Sequence, residues 1–207
     1  IENIELHGSM KIRDWIGSVS PSSIEIIPLI EDMDSLLKAD RIVEPYIDTI
    51  KPEYVRVFLA RSDPALNYGL VCATLLSKIA LAKLKVLERQ KGVQIYPIIG
   101  VGSLPFRGHL SPSNLDLFLK EYKGVHSVTI QSGLKYDFPP DEVKHVVSTL
   151  NEKLPYGESP IIDELEEKIL LQVIDKFRSK YQIVVEDLAP LITSIVPYIP
   201  KRRARKL

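Results

Sequence analysis

Residues 54–69 read YVRVFLARSDPALNYG, and this stretch decides the fold. Its first seven residues, Tyr54–Ala60, are aromatic, β-branched or aliphatic except for one arginine, which predicts a strand. Arg61, Ser62, Asp63 and Pro64 then form a polar turn. From Ala65 to about Gln90 the sequence predicts a long helix, with Leu76, Ile79, Ala80 and Leu84 on its apolar face. Lys91 and Gly92 end it, glycine taking its usual place after a helix C-terminus. Strand, polar turn and helix make one βα unit.

The same order recurs on both sides. Residues 23–30 (SIEIIPLI) predict a buried strand, followed by a helix capped at Asp34, running to about Ile47 and stopped by Lys51 and Pro52. Residues 93–100 (VQIYPIIG) predict a third strand, then a long loop over 101–112 and a short helix over 113–122. Residues 125–131 (VHSVTIQ) predict a fourth strand, and Pro139 and Pro140 open a helix to about Leu154. Strand starts near 23, 54, 93 and 125 are separated by 31, 39 and 32 residues, the spacing of βα units in a parallel sheet. The crossovers should be right-handed. Near-continuous apolar runs imply strands covered on both faces. The fold class is therefore α/β.

Three regions follow: an irregular N-terminal segment at 1–22, βα units over 23–154, and a helical region over 155–207. Residues 18–23 (SVSPSS) predict a loop. In the last region a helix is expected over 161–181, with Leu165, Ile169, Val173, Phe177 and Tyr181 recurring every four residues, and a second over 184–196. The end, KRRARKL at 201–207, is a solvated basic segment, with an anion-binding tail as the alternative.

Composition narrows the function classes. With 207 residues the chain is about 1.4 domains at roughly 150 residues each, enough for a substantial core. Hydrophobic residues at 45% and charged residues at 26% exclude a disordered or collagen-like chain. A net charge of zero gives no global field to recruit nucleic acid or an anionic membrane. No apolar run is long enough to span a bilayer. The single cysteine, Cys72, lies in an apolar run, makes no internal disulfide and fits a cytoplasmic location. A start at Ile1 without a basic or signal-like leader is that of a fragment or a processed piece.

In parallel βα folds, ligands bind at the carboxyl ends of the strands. Glu31 and Asp63 follow neighbouring strands, and two carboxylates suit a hard cation such as magnesium. The competing reading is helix capping, since Asp32, Asp34 and Asp63 all precede helices. The third strand opens into Gly100–Val101–Gly102–Ser103–Leu104–Pro105–Phe106–Arg107–Gly108–His109. Glycines allow close backbone approach, free N–H groups suit phosphate, and Arg107 supplies a rigid cationic fork. Arg61 is a second cation at this rim, and Gln131 ends the fourth strand. His109 is the histidine nearest the rim, whereas His126 and His145 belong to a strand and a helix. No His/Cys cluster supports zinc and no G-x-S-x-G elbow is present.

Four segments carry a family resemblance: PLIED at 28–32, FLARSDPALNYGL at 58–70, YPIIGVGSLPFRGHLSP at 96–112 and YKGVHSVTIQSGLKYDFP at 122–139. Together they resemble the archaeal-type phosphoenolpyruvate carboxylases, from about residue 23 to the C-terminus. The resemblance implies a partial TIM barrel of about four parallel βα units plus additional helices. It also implies carboxylation of phosphoenolpyruvate by bicarbonate, through carboxyphosphate and an enolate, to give oxaloacetate and phosphate. Magnesium, with manganese as an alternative, is the implied cofactor. A homo-oligomer, specifically a homotetramer, is the implied assembly. PLIE resembles the PLFE-type segment of the larger bacterial and plant branch, which assigns a metal ligand to Glu31. SDPALNYG resembles that branch's SDSAKDAG-type segment, which assigns the second metal ligand to Asp63. The loop arginine maps onto Arg107 as the catalytic residue. The expected substrate-binding set is Arg61, Gly100, Gly102, Ser103, Gly108 and Gln131. Leu66 stands where that branch has a lysine, and Val101 where it has a phosphate-site arginine. The family's N-terminal QHPDN-type histidine motif is missing, so the chain resembles the central part of a longer enzyme, inactive alone. The alternatives are another magnesium-enolate barrel lyase or aldolase acting on pyruvate-like substrates, and a non-catalytic piece that assembles with the rest.

Overall fold

The computed structural model describes residues 4–5, 10–17 and 24–200. The expected loop at 18–23 and the basic stretch at 201–207 lie outside them. Four strands, β1 (Leu29–Ile30), β2 (Tyr54–Ala60), β3 (Gln94–Gly100) and β4 (Ser127–Val128), form one parallel sheet in the order β1-β2-β3-β4. The α/β class and the parallel pairing are as the sequence predicts. Among the described residues, no strand pairs with the outer edge of β1 or of β4.

The helices of the described residues are α1 (Ile12–Ile16), α2 (Met33–Leu37), α3 (Ala39–Ile50), α4 (Ser62–Tyr68), α5 (Leu70–Lys91), α6 (Leu115–Glu121), α7 (Ser132–Tyr136), α8 (Pro140–Lys153) and α9 (Glu164–Ile195). The central one is α5. Its buried residues, including Cys72, Leu76, Ile79, Ala80, Leu81 and Leu84, lie nearly all round it, as they must in a helix packed on several sides. It packs on α2, α3, α9 and β3. The Lys83 ammonium donates to the Leu37 carbonyl at 2.8 Å and pairs with Glu167 at 2.7 Å, joining α2, α5 and α9.

Several expectations change. The first strand shrinks to two residues, and Ile24, Ile26 and Ile27 are exposed, because an apolar run does not specify whether a partner covers it. Asp32, not Asp34, caps the following helix: its Oδ1 accepts from the Ser35 N–H at 3.0 Å. The helix expected from 65 to 90 is two helices divided at Gly69, whose φ of 92° breaks the turn. The helices expected at 161–181 and 184–196 are one, α9, with Pro190 inside it. It starts at a capping box in which Asp163 and Glu166 exchange hydrogen bonds of 3.1 and 2.8 Å.

The face of α9 also differs from expectation. Leu165, Ile169 and Phe177 are exposed, while Ile174 is buried in the core with Leu170 and Leu171 packed against it, and Tyr181 lies half-buried against Gly69. Steps of four residues advance about 40° beyond a full turn each time, so a strict four-residue stripe spirals off the buried side.

The sheet is covered on one face. Val55, Val57 and Leu59 of β2 and Ile95 and Ile99 of β3 join the core with α3 and α5 residues. On the other face Tyr54 is exposed, and Arg56, Phe58 and Tyr96 are half-buried. There Tyr54, Tyr96 and His126 form a row, with ring centroids 5.6 and 4.5 Å apart. The expectation of strands covered on both faces holds toward the carboxyl ends, where Ala60 and Ile98 of this face are buried, and fails at Tyr54, Arg56 and Tyr96.

Candidate functional site

The register aligns the carboxyl ends of the strands. Ile30 is level with Leu59, Ala60 with Gly100, and Ile99 with Val128. The residues that follow, Glu31, Arg61 to Asp63, Val101 to Gly108 and Gln131, therefore share one rim.

The two carboxylates are unengaged. Glu31 and Asp63 are exposed and make no hydrogen bond or ion pair among the described residues. Asp63 sits in the first turn of α4 but does not cap it, since Arg61 holds the N-cap position. Asp32 is the capping residue of this set, and its carboxyl is held below its ordinary pKa by the Ser35 hydroxyl and N–H. The structure thus separates a structural aspartate from two free carboxylates. Oxygen donors on adjacent strand ends fit a hard cation that takes one or two carboxylates and completes its shell with water and substrate oxygens. Among the described residues, no group of three or more His, Cys, Asp or Glu gathers into a cage.

The glycine loop is closed on itself. The Gly102 N–H donates to the Arg107 carbonyl at 2.7 Å, and the Leu110 N–H returns to the Gly102 carbonyl at 3.0 Å. The Arg107 and His109 N–H groups both donate to the Leu104 carbonyl, and the Gly108 N–H to the Pro105 carbonyl. Most of the N–H groups expected to be free for phosphate are consumed within the loop. Those of Ser103, Leu104 and Phe106 make no such bond among the described residues. Gly108 is required for this shape: its φ is 112°, and an added methyl would lie 2.6 Å from Val101 Cγ1.

Side chains converge over the loop. A methyl added at Gly102 would lie 3.0 Å from Gln131 Oε1 and 3.1 Å from Arg107 Cβ, and one at Gly133 would lie 2.4 Å from Ser103 Oγ. Gly102, Ser103, Arg107 and Gln131 are therefore close neighbours. Gly100 sits lower, against the Phe58 ring. Arg107 is exposed, and its Nε donates to Ser62 Oγ at 3.3 Å.

Arg61 differs from the free cation expected at the rim. It is 1% exposed, and its guanidinium donates to three internal partners: Tyr122 Oη, the Phe106 carbonyl and Thr74 Oγ1. Thr74, Tyr122 and Thr129 were not legible as parts of this region. Thr129 Oγ1 accepts from the Val101 N–H at 3.2 Å. Thr74, a polar residue inside the apolar run of α5, was the available signal.

A cavity of about 190 Å³ opens at the opposite, amino ends of the strands, lined by Lys85, Glu88, Tyr96 and His126 among others. Its charged groups are already matched, since Lys85 pairs with Glu88, which also accepts the Ile95 N–H. The functional site is therefore assigned to the rim.

A parallel α/β sheet whose carboxyl ends gather two free carboxylates and an arginine-bearing glycine loop is suited to a phosphorylated anion and a hard cation. The family described as phosphoenolpyruvate carboxylase matches this sequence over residues 1–207. Proteins named phosphoenolpyruvate carboxylase are 49% identical over 206 residues in Metallosphaera sedula, 46% over 205 in Caldivirga maquilingensis and 41% over 206 in Methanothermobacter thermautotrophicus. These alignments take in 99–100% of this chain but 40–42% of each relative, so the chain spans about two fifths of their length. The chain belongs to the phosphoenolpyruvate carboxylase family.

Proposed function

We propose that this chain supplies the metal-binding rim and glycine loop of an enzyme that carboxylates phosphoenolpyruvate with bicarbonate, giving oxaloacetate and phosphate. The observation that carries the reading is the shared rim, where Glu31 and Asp63 stand unengaged beside the loop that presents Arg107. The four βα units belong, in this reading, to a TIM-type barrel whose remaining strands pair with the open edges of β1 and β4. The complete protein is a cytoplasmic homo-oligomer, a homotetramer by family resemblance.

Glu31 and Asp63 would hold magnesium, or manganese in its place. That ion supplies Lewis-acid stabilisation of the substrate's oxygens. Arg107 carries permanent charge at the mouth of the loop, so its work is to stabilise negative charge as bicarbonate attacks the phosphoryl group. The Ser103 hydroxyl and the N–H groups of Ser103, Leu104 and Phe106 are the loop's other donors. Gln131, which reaches Gly102, helps to orient the bound anion, while Gly100 and Gly108 set the shape of the loop by making room for the Phe58 ring and the Val101 side chain.

The test is made in the complete protein. Glu31→Gln and Asp63→Asn should each raise the magnesium concentration needed for bicarbonate-dependent oxaloacetate formation by tenfold or more, about 1.4 kcal/mol of binding or greater. An unchanged magnesium requirement rejects the metal assignment. Phosphate release that does not depend on bicarbonate rejects the reaction.

A further inference from the structure

Arg61 is the one charged residue in the fully buried set among the described residues. Burying a guanidinium is costly unless its donors are satisfied. Here every nitrogen is used: Nε donates to Tyr122 Oη at 2.9 Å, Nη2 to Thr74 Oγ1 at 3.0 Å, and Nη1 to the Phe106 carbonyl. No carboxylate lies within ion-pair distance of it among the described residues. An apolar side chain would fill the same space at lower cost, so the arginine is there for its fork.

The partners come from separate parts of the chain. Thr74 is in α5, Tyr122 follows α6, and Phe106 lies within the glycine loop. Phe106 immediately precedes Arg107, and Ser62 immediately follows Arg61. Arg107 Nε donates back to Ser62 Oγ at 3.3 Å. Two consecutive residues after β2 are thus bonded to two consecutive residues of the loop. One rung is Arg61 to the Phe106 carbonyl, and the other is Arg107 to Ser62.

We propose that Arg61 is a positioning residue, not a substrate ligand: it fixes the height and rotation of the loop so that Arg107 is held against Ser62, the residue next to Asp63. This rests on the carboxylase reading and assigns the substrate-facing charge to Arg107 alone. A lysine at 61 keeps the charge but cannot form the three-way fork.

The experiment uses Arg61→Lys and Arg61→Gln in the complete protein, read by steady-state kinetics and by hydrogen exchange of the loop amides at 102–110. Both variants should lower kcat by about 10²-fold, the scale expected when a catalytic group is misplaced, with KM for phosphoenolpyruvate unchanged. Exchange at the Gly102 and Leu110 amides should accelerate while that of α5 stays as in the wild type. Tyr122→Phe removes a single partner and should show the same pattern in weaker form, which covers the case in which the Arg61 variants do not fold. Wild-type kcat in Arg61→Lys overturns the proposal, and so does a raised KM at unchanged kcat, which is the signature of direct contact. Equal acceleration of loop and α5 exchange also overturns it, because that is general destabilisation. If the wild-type protein forms no oxaloacetate, the carboxylase reading fails, and the exchange comparison still decides the role of Arg61.

Discussion

Three consecutive side chains leave β2 with three different jobs. Arg61 turns inward to hold the loop, Ser62 accepts from Arg107, and Asp63 stays exposed and unengaged. The sequence displays all three as polar residues after a strand, which places them at the rim but not their directions. Burial separates them, and burial depends on Thr74 and Tyr122, which are 13 and 61 residues away from Arg61. Burial also acts on His126, which the sequence places on the fourth strand and away from the rim. Its imidazole lies on Tyr96, and its pKa is lowered, first by burial and then by the nearby Arg56 charge. The unfolded chain takes up the proton near 6.5, before the folded one does. Stability is therefore full above that pH and is lost as pH falls from it through the depressed folded value. An NMR titration should place the His126 midpoint below 6.5, and a midpoint at or above it would contradict the burial argument. His126→Gln should flatten the fall in stability across that window.

At the scale of elements, βα order was legible because it is written in local chemistry: apolar runs, polar turns and glycine stops. The boundaries were less so. Gly69 sits inside a stretch that the sequence predicts as one helix and divides α4 from α5 with a φ of 92° and ψ of 162°, a combination open essentially to glycine alone. An added methyl would also meet the Tyr181 ring of α9 at 3.0 Å. Gly69→Ala should therefore cost about 1–3 kcal/mol, read from the shift in the denaturant midpoint. An unchanged midpoint would mean that one continuous helix serves as well. The break redirects the chain after α4, so that α5 runs back against β3. The face of α9 was misjudged for a different reason. Its apolar residues exceed what one side can bury, and only the packing partner selects among them.

At the scale of the molecule, the covered face of the sheet and the open one mean different things. Helices close over Val55, Val57 and Leu59, whereas Tyr54, Tyr96 and His126 line a face without a layer above it among the described residues. Beyond Tyr181, the apolar side chains of α9, including Ile183, Val184, Leu188, Leu191, Ile192 and Ile195, are exposed as well. Contiguous exposed apolar surface of this kind marks an interface. The isolated 207-residue chain should bind a hydrophobic dye strongly, self-associate in ultracentrifugation and form no oxaloacetate. A monodisperse, dye-silent and active chain would show that it is self-sufficient. The sequence could announce the parallel units, but not which face would be left open, since apolar strand residues look the same on both sides.

The loop that bonds to itself has one more consequence. Its backbone is ordered when the protein folds, so the conformational entropy of ordering it is lost then and not when an anion arrives. Association at this rim draws on a surface already set in shape. Its strength should depend on the integrity of the fold and fail together with it at the melting transition.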